Sequence, residues 1–228
     1  MTWQADGSSA GGTHGGGLSV WPTREISGVI YLWHDQDGRA PFFEPADVFE
    51  VFHDGTVEED FYLVQPEGPT VYRQRSLHPQ YAMEDRVDRI HFAGTHATNV
   101  PHFAGAEFGD YLFHSDIVTG FDADPVTGSR TPRAGVQSIS IGLGVSYFRT
   151  WGVVEQRDVL AVTPVDEHCA DVFHTTWVSR FHAGEARSEF SPDLFAVTKR
   201  ELENDLRIWT HLRFTPLVGT VPSHESDV

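Results

Sequence analysis

Apolar and polar residues alternate along much of the chain, in short runs separated by glycine, proline and aspartate. A period of two residues is typical of half-buried β-strands. Near the start it predicts a hairpin formed by Leu18–Thr23 and Gly28–His34, with its turn at Arg24–Ser27. Three further strands are predicted in this part of the chain, at Asp47–His53, Asp60–Gln65 and Thr70–Leu77.

The second half of the chain carries the longest strand patterns, which are rich in β-branched and aromatic residues. They lie at Glu107–Phe121, Gly135–Gly152 and Val154–Phe181. A loop is predicted at Asn99–Gly105, and turns at Asp122–Arg133 and at Arg157–Asp158 or Pro164–Glu167. Because long neighbouring strands are joined by short connections, the pattern favours one antiparallel meander.

Two segments have helical character. Pro79 can begin a helix that includes Tyr81–His96, because proline suits the first helical position. Ser191–Asp193 is a second helix start, with an N-cap serine, a proline and a first-turn acid. This second helix is predicted to run to about Leu212.

The C-terminal helix has a predicted apolar face, formed by Phe195, Leu202, Leu206 and Trp209. Asp205 lies inside this arc. An aspartate in that position is either a buried hydrogen-bond acceptor or a metal ligand, and the helical spacing alone leaves both readings open.

The Tyr81–His96 segment concentrates acids and histidines. On a helical wheel of about 100° per residue, one stripe aligns four polar side chains, Glu84, Asp88, His91 and Thr95. A charged stripe that faces a core needs a cation or hydrogen-bonded partners. His91 and His96 lie about 140° apart on a straight helix, and a bend at Gly94 would bring them together. The alternative is an amphipathic helix with solvated charges and one buried histidine.

Composition excludes several classes of function. The net charge of −17 argues against nucleic acids and anionic membranes as partners. Cys169 is the only cysteine, so an internal disulfide and a cysteine-bound iron–sulfur cluster are both impossible, and a reducing cytoplasm is the expected location. We expect no signal peptide and no membrane span. The histidines at 102, 114, 168, 174, 182 and 211 receive no role.

Four segments, in order, resemble the catalytic domain of the Rieske non-haem iron oxygenases, most closely the oxygenase component of 3-ketosteroid 9α-hydroxylase. Glu84–His96 is similar to the family's pattern E-N-x-x-D-x-x-H-F-x-x-x-H. Asn204–Trp209 resembles the late helix that supplies the third iron ligand. Trp21–Gly38 and Thr163–His168 also resemble family segments, so the similarity covers about residues 3–212.

The resemblance implies a fold, a site and a reaction. The fold would be α+β of the helix-grip (START-like) type, a curved antiparallel sheet with a long C-terminal helix and a metal-bearing helix. His91, His96 and Asp205 would bind one Fe(II), and Asp88 would link the iron to an electron donor in a neighbouring subunit. Asp85 stands where the family has asparagine, which changes the surroundings of the iron. The reaction would be the hydroxylation by O2 of a bulky apolar substrate, such as a steroid.

One departure from the family concerns its 2Fe-2S cluster. The two Cys-x-His/Cys-x-x-His motifs that bind it are missing from the sequence. We expect residues 1–17 to be a loop-like remnant of the Rieske domain, 18–214 to be the catalytic domain and 215–228 to be a loose tail. A truncated gene, a start codon assigned too late and a cluster-free descendant all remain open.

The expected partners follow from the same resemblance. They are an apolar substrate, O2, a reductase or ferredoxin as electron donor, and further copies of the chain in a homotrimer. Two other functions stay open: a non-catalytic module that binds apolar ligands, and a structural subunit that joins intact oxygenase chains.

Overall fold

We describe the protein from a computed structural model. The description covers residues 2–3, 9–10, 20–35, 37–75, 102–108, 112–142, 144–152, 155–166, 169–182, 185–186 and 192–211. The predicted metal-bearing helix, within residues 76–101, lies outside this range. The tail from residue 212 onward lies outside it as well.

Strands account for most of the described chain. In order they are β1 (Thr2–Trp3), β2 (Ser9–Ala10), β3 (Thr23–Ile26), β4 (Val29–Leu32), β5 (Phe61–Leu63), β6 (Thr70–Arg75), β7 (His102–Phe108), β8 (Leu112–Ala123), β9 (Arg130–Ile141), β10 (Val145–Trp151), β11 (Gln156–Asp166), β12 (Cys169–Ser179), β13 (Phe181–His182) and β14 (Glu185–Ala186). The helical elements are a 3₁₀ turn, Glu58–Asp60, and the α-helix α1, Pro192–Trp209.

Eight strands form one sheet, in the order β7-β8-β9-β10-β11-β12-β5, with β6 also paired to β12. Every pairing within it is antiparallel. Five consecutive connections, from β7 to β12, join neighbours in space, so the predicted antiparallel meander is confirmed. Strands β5 and β6 come earlier in the chain, and both pair with β12 at one edge of the sheet.

The early hairpin, β3–β4, has its turn two residues later than predicted. Thr23 pairs with Leu32 and Ile26 with Val29, which leaves Ser27 and Gly28 as the turn. Both have positive φ, 52° and 69°, as a type I′ turn requires. The prediction of a turn at Arg24–Ser27 was therefore wrong, because the backbone geometry of a two-residue hairpin favours Ser-Gly.

The sheet is covered on both faces. One face, here called the arm face, packs against residues 20–61, here called the arm. Its sheet residues are Ile139, Ile141, Val145, Tyr147, Val159 and Trp177, and the arm contributes Val29, Phe43, Ala46, Val48, Phe49, Val51, Phe52 and Phe61. The arm lies so close that a Cβ on Gly142 would clash with the ring of Phe43.

The opposite face, here called the helix face, packs against α1. Leu202 and Leu206 of α1 contact an apolar cluster of sheet residues, Tyr72, Phe148, Leu160, Val162, Ala170 and Val172. Residues on these strands alternate between the two faces, as the pleat of a sheet requires. Helix α1 begins at the predicted Pro192 and ends at Trp209, three residues before the predicted end.

The segment Asp47–His53 is not the predicted strand. Asp47 accepts hydrogen bonds from its own neighbours, through its carbonyl oxygen to Val51 N (2.9 Å) and its side chain to Phe49 N (2.8 Å). These bonds wind the chain into turns and bury Val48 and Phe49 side by side. Adjacent burial is incompatible with the alternation of a strand, so the prediction was wrong.

Three other predicted connections belong to strands. His102 to Gly105, predicted as part of a loop, lies in β7, where His102 pairs with Val118. The turn predicted at Asp122–Arg133 shrinks to Asp124–Ser129, because β8 and β9 extend into it. Arg157 and Asp158 lie inside β11 rather than in a turn. Polar residues in these strands have partners that a one-dimensional pattern does not reveal.

No helix within the described ranges is both long and apolar enough to span a lipid bilayer.

Candidate functional site

Beside the apolar cluster, the helix face carries a run of buried polar side chains. Gln156 and Asp158 come from β11, and His174 and Thr176 from β12. The two strands pair Asp158 with Thr176 and Leu160 with His174. The same alternation that directs Leu160 and Val172 toward α1 therefore directs these polar residues to the same face.

Asp158 is the centre of this polar cluster. Its Oδ1 accepts a hydrogen bond from Thr176 Oγ1 (2.7 Å) and lies 2.8 Å from His174 Nε2. Its Oδ2 accepts a hydrogen bond from Gln156 Nε2 (2.7 Å). A carboxylate oxygen accepts hydrogen bonds, and we therefore assign the donor role in the contact with His174 to Nε2. Asp158 thus fixes both the orientation and the tautomer of a histidine that is 3% exposed.

Two buried polar atoms on this face have no hydrogen-bond partner within the part of the chain that the structure describes. They are Nδ1 of His174 and the hydroxyl oxygen of Tyr72. Tyr72 pairs with Val172 across β6 and β12, beside α1. Burial, and next the negative charge of Glu203 on α1, raise the pKa of Tyr72, so its hydroxyl keeps its proton.

Asp205 is the only predicted iron ligand among the described residues. It is half-buried on α1, between Leu202 and the 3% exposed Leu206, both of which contact the sheet. Its carboxylate thus borders the covered side of the helix, as the apolar arc predicted. Fe(II) accepts a carboxylate oxygen as a ligand beside two imidazoles, so Asp205 fits the expected ligand set in chemical type.

The other predicted site residues are His91, His96, Asp88 and Asp85, and all four lie outside the described residues. The predicted ligand set therefore stays a prediction. Within the described ranges, no three histidine, cysteine, aspartate or glutamate side chains cluster as a metal site.

The arm face holds a different polar group, a network of buried ions. Arg157 is 0% exposed and forms ion pairs with Asp54 and Glu155. Arg149 lies 3.1 Å from Asp54 and 2.7 Å from Glu155. The guanidinium of Arg157 also lies over the rings of Phe52 and Phe61, at 5.3 and 5.2 Å. This network ties the arm to the sheet through charge pairing.

The carboxyl group of Asp54 is held in its charged form. Burial alone would raise its pKa, but hydrogen bonds from Thr56 and the charges of Arg157 and Arg149 outweigh burial and lower it. The Thr56 backbone N donates at 3.1 Å and its hydroxyl at 2.8 Å. Asp54 is therefore an anion at neutral pH and neutralises part of the charge of Arg157.

Sequence reasoning missed both polar groups. It gave His174 no role and placed Asp158 in one of two alternative turns. The signal that could have found them is positional: Gln156 and Asp158 are two residues apart in Q-R-D-V-L, as are His174 and Thr176 in H-T-T-W, so each pair lies on one side of its strand. Only the strand register, which pairs Asp158 with Thr176, turns those two patterns into one cluster.

Comparison with solved structures finds this fold in proteins of low sequence identity. Dicamba monooxygenase bound to dicamba matches with a TM-score of 0.57 and 13% identity, over 91% of this chain and 66% of that chain. Pseudomonas putida CBB5 NdmA with caffeine matches with a TM-score of 0.56 and 14% identity, over 88% and 56%. The chain thus spans less than two thirds of the length of each. At sequence identities this low, only a shared fold can be inferred.

Sequence comparison is more specific. No curated protein sequence matches the chain significantly. The profile described as 3-Ketosteroid 9alpha-hydroxylase C-terminal domain matches residues 32–220, which is most of the chain and includes the predicted ligand positions. The chain belongs to this family, the C-terminal catalytic domains of Rieske oxygenases related to 3-ketosteroid 9α-hydroxylase.

Proposed function

We propose that the chain is the catalytic domain of a Rieske-type monooxygenase that binds one Fe(II) through His91, His96 and Asp205. Its substrate would be a bulky apolar molecule such as a steroid. The observation that carries the proposal is the family match over residues 32–220, which contains all three positions. The half-buried place of Asp205 on the covered side of α1 supports it independently.

The proposed architecture is of the helix-grip type. The curved sheet and α1 would enclose the substrate on the helix face, with the iron at the inner end of the pocket. The packing of Leu202 and Leu206 against β11 and β12 supports this, because it fixes the position of Asp205 relative to the sheet. A ligand that is held by a packed helix keeps its geometry when substrate enters.

Bound Fe(II) would supply the activation of O2. In the overall reaction one oxygen atom of O2 is inserted into a C–H bond of the substrate. The other oxygen atom is reduced to water, which consumes two electrons and two protons. The chain's own residues would hold the metal, exclude water and orient the substrate. Asp88 would connect the site to the electron donor of a neighbouring subunit, and Asp85 would replace a family asparagine near the iron.

The electrons would come from a 2Fe-2S domain outside this polypeptide segment, supplied in turn by a reductase or ferredoxin. With Cys169 as its one cysteine, the segment cannot bind such a cluster. We further propose a homotrimer in the cytoplasm, with residues 1–17 as a Rieske-domain remnant, 18–214 as the catalytic domain and 215–228 as a tail. NADH-coupled hydroxylation should be poor with a reductase alone and should rise when an iron–sulfur protein is added.

The test is iron stoichiometry after purification without oxygen. Wild-type protein should retain close to one Fe(II) per chain, and His91→Ala, His96→Ala and Asp205→Ala should each lose most of it. Glu203→Ala is the matched control, since Glu203 lies on the same helix with a partly exposed side chain. Far-UV circular dichroism checks that each variant folds. Unchanged iron in all three ligand variants would reject the site and favour a non-catalytic module that binds apolar ligands.

A further inference from the structure

The helix face contains two buried polar atoms that have no partner in the described chain, Nδ1 of His174 and the hydroxyl oxygen of Tyr72. Leaving a buried polar atom unsatisfied is costly, and native structures contain only a few. Other polar side chains on this face are paired, for example Ser140 with Ser146 at 2.9 Å. The two atoms therefore call for a partner that is not part of the described chain.

Strand register brings the two residues together. Val172 pairs with Tyr72, and His174 pairs with Thr70, across the antiparallel strands β6 and β12. Tyr72 and His174 are thus diagonal neighbours on one face, with Cα atoms about 7 Å apart. Long aromatic side chains reach across such a diagonal. Around them lie the apolar side chains of Phe148, Leu160 and Val172.

The two atoms offer opposite hydrogen-bonding capacities. In the neutral imidazole with Nε2 donating to Asp158, Nδ1 presents a lone pair and acts as an acceptor. The Tyr72 hydroxyl, whose pKa is raised, is a donor. A ligand hydroxyl can accept from Tyr72 and donate to His174 at once. A carbonyl or ether oxygen can only accept a hydrogen bond, so it could bind Tyr72 but not Nδ1 of His174.

From this arrangement we infer that Tyr72 and His174 form a binding site for the hydroxyl group of an otherwise apolar ligand. Asp158 is the positioning residue, which fixes the imidazole through Nε2. The inference deepens the proposed function and rests on it in one respect: the ligand that carries the hydroxyl would be the substrate of the oxygenase. The site itself needs no iron.

The arm face offers no comparable pair. Tyr31, Arg157 and Asp116 also contribute a buried polar atom without a hydrogen-bond partner among the described residues. Burial, and next the neighbouring Tyr147, raise the pKa of Tyr31. Arg157 already binds Asp54 and Glu155 through its other nitrogens, and Oδ1 of Asp116 lies 3.4 Å from Nε2 of His114. None of the three combines an acceptor with a neighbouring donor in this way.

The experiment uses iron-free protein labelled with ¹⁵N-histidine, and phenol as the probe. Phenol has a hydroxyl on an apolar ring, and anisole has the same ring with an ether oxygen that cannot donate. In the free protein, the ¹⁵N spectrum should show His174 with a proton on Nε2 and none on Nδ1. Phenol should shift the Nδ1 resonance in a saturable way, and anisole should leave it unchanged. His174→Gln identifies the signal.

Variants separate the site from a general effect on folding. Tyr72→Phe should weaken phenol binding about fivefold, which corresponds to the loss of one hydrogen bond. Tyr31→Phe, which removes a buried hydroxyl from the opposite face, should leave phenol affinity unchanged. Asp158→Asn should abolish the preference for phenol over anisole, because the imidazole then loses its fixed tautomer.

Three results would overturn the inference: a proton on Nδ1 in the free protein, equal responses to phenol and anisole, or no response of the His174 signal to phenol. Because the titration is done without metal, these results are independent of the iron measurement. Loss of iron binding with an intact phenol response would reject the proposed function and leave the hydroxyl site standing.

Discussion

The two faces of the sheet bury polar groups in different ways. On the arm face, Arg157 is fully buried but balanced by Asp54 and Glu155, and the Tyr147 hydroxyl accepts a hydrogen bond from Ala46 N at 3.0 Å. On the helix face, Asp158 accepts from three donors, yet Nδ1 of the histidine that it orients has no partner in the described ranges.

This difference indicates that the polar groups of the two faces have different roles. The arm face uses its charges to attach residues 20–61 to the sheet, so its polar groups contribute to stability. Among the described residues, the helix face keeps an unpartnered acceptor, Nδ1 of His174, beside an unpartnered donor, the Tyr72 hydroxyl, near the helix α1 that carries Asp205. The arm face also has unpartnered buried atoms, in Tyr31 and Arg157, but they do not form such a pair. Unused capacity in a buried position lowers stability and is typical of binding sites. We therefore assign stability to one face and chemistry to the other, and the following variants test that assignment.

The largest expected effect comes from Asp54→Ala on the arm face. The variant leaves Arg157 buried with one carboxylate fewer and removes the acceptor of Thr56. We expect it to lower the free energy of unfolding by about 4 kcal/mol. Urea denaturation measures this. Asp171→Ala is the control, because Asp171 pairs with the exposed Arg73 and its loss should cost much less than that of Asp54.

The next effect concerns the apolar contact between α1 and the helix face. Leu206→Ala should lower the free energy of unfolding by about 3 kcal/mol, because the side chain is 3% exposed and leaves a cavity against the sheet. Leu63→Ala, at a largely exposed position on β5, should cost far less. If both variants lowered the free energy of unfolding equally, the contact of Leu206 with the sheet would not be what stabilises the packing of α1.

A matched pair of tyrosines compares the two faces directly. Tyr147→Phe on the arm face should cost about 1–2 kcal/mol, since Ala46 N loses its acceptor. Tyr72→Phe on the helix face should be neutral or stabilising by up to about 1 kcal/mol, because the hydroxyl has no partner among the described residues. Thermal or urea unfolding of both variants measures this difference. Equal destabilisation would contradict the assignment of stability to the arm face and of chemistry to the helix face.

The smallest effect is a change in the dependence of stability on pH. The pKa of Asp54 is lowered in the folded protein, so its contribution is present above its unfolded pKa and is lost as pH falls through the folded value. Wild-type stability should therefore decline as pH falls below about 4, and Asp54→Asn should show a shallower decline. Parallel curves for the two proteins would exclude Asp54 as a source of acid sensitivity.

The sequence predicts the sheet better than it predicts the arm. Long alternating runs such as those in β11 and β12 reveal strands, and short connections then imply an antiparallel meander. Asp47–His53 has a similar local pattern, yet Asp47 bonds to the amides that follow it and turns the chain. Side-chain bonds to the local backbone compete with strand formation, and residue alternation does not register them.

The candidate site was predictable in part. Helical spacing places Asp205 on the apolar arc of α1, and the structure finds it half-buried there. Asp158 and His174 were missed because they lie sixteen residues apart and come together only through the register of β11 and β12. Whether His91 and His96 join Asp205 depends on a bend near Gly94, which stays a prediction.

The proposed iron site requires two imidazoles and the Asp205 carboxylate to share one ion. X-ray absorption at the iron edge of protein loaded with Fe(II) can detect this, because imidazole rings give a distinct outer-shell scattering pattern. We expect two histidine ligands with oxygen donors in the wild type and one histidine ligand in His96→Ala. In Asp205→Ala we expect two histidine ligands and a loss of bound iron. A spectrum without imidazole scattering, or one that is identical in His96→Ala, would contradict it.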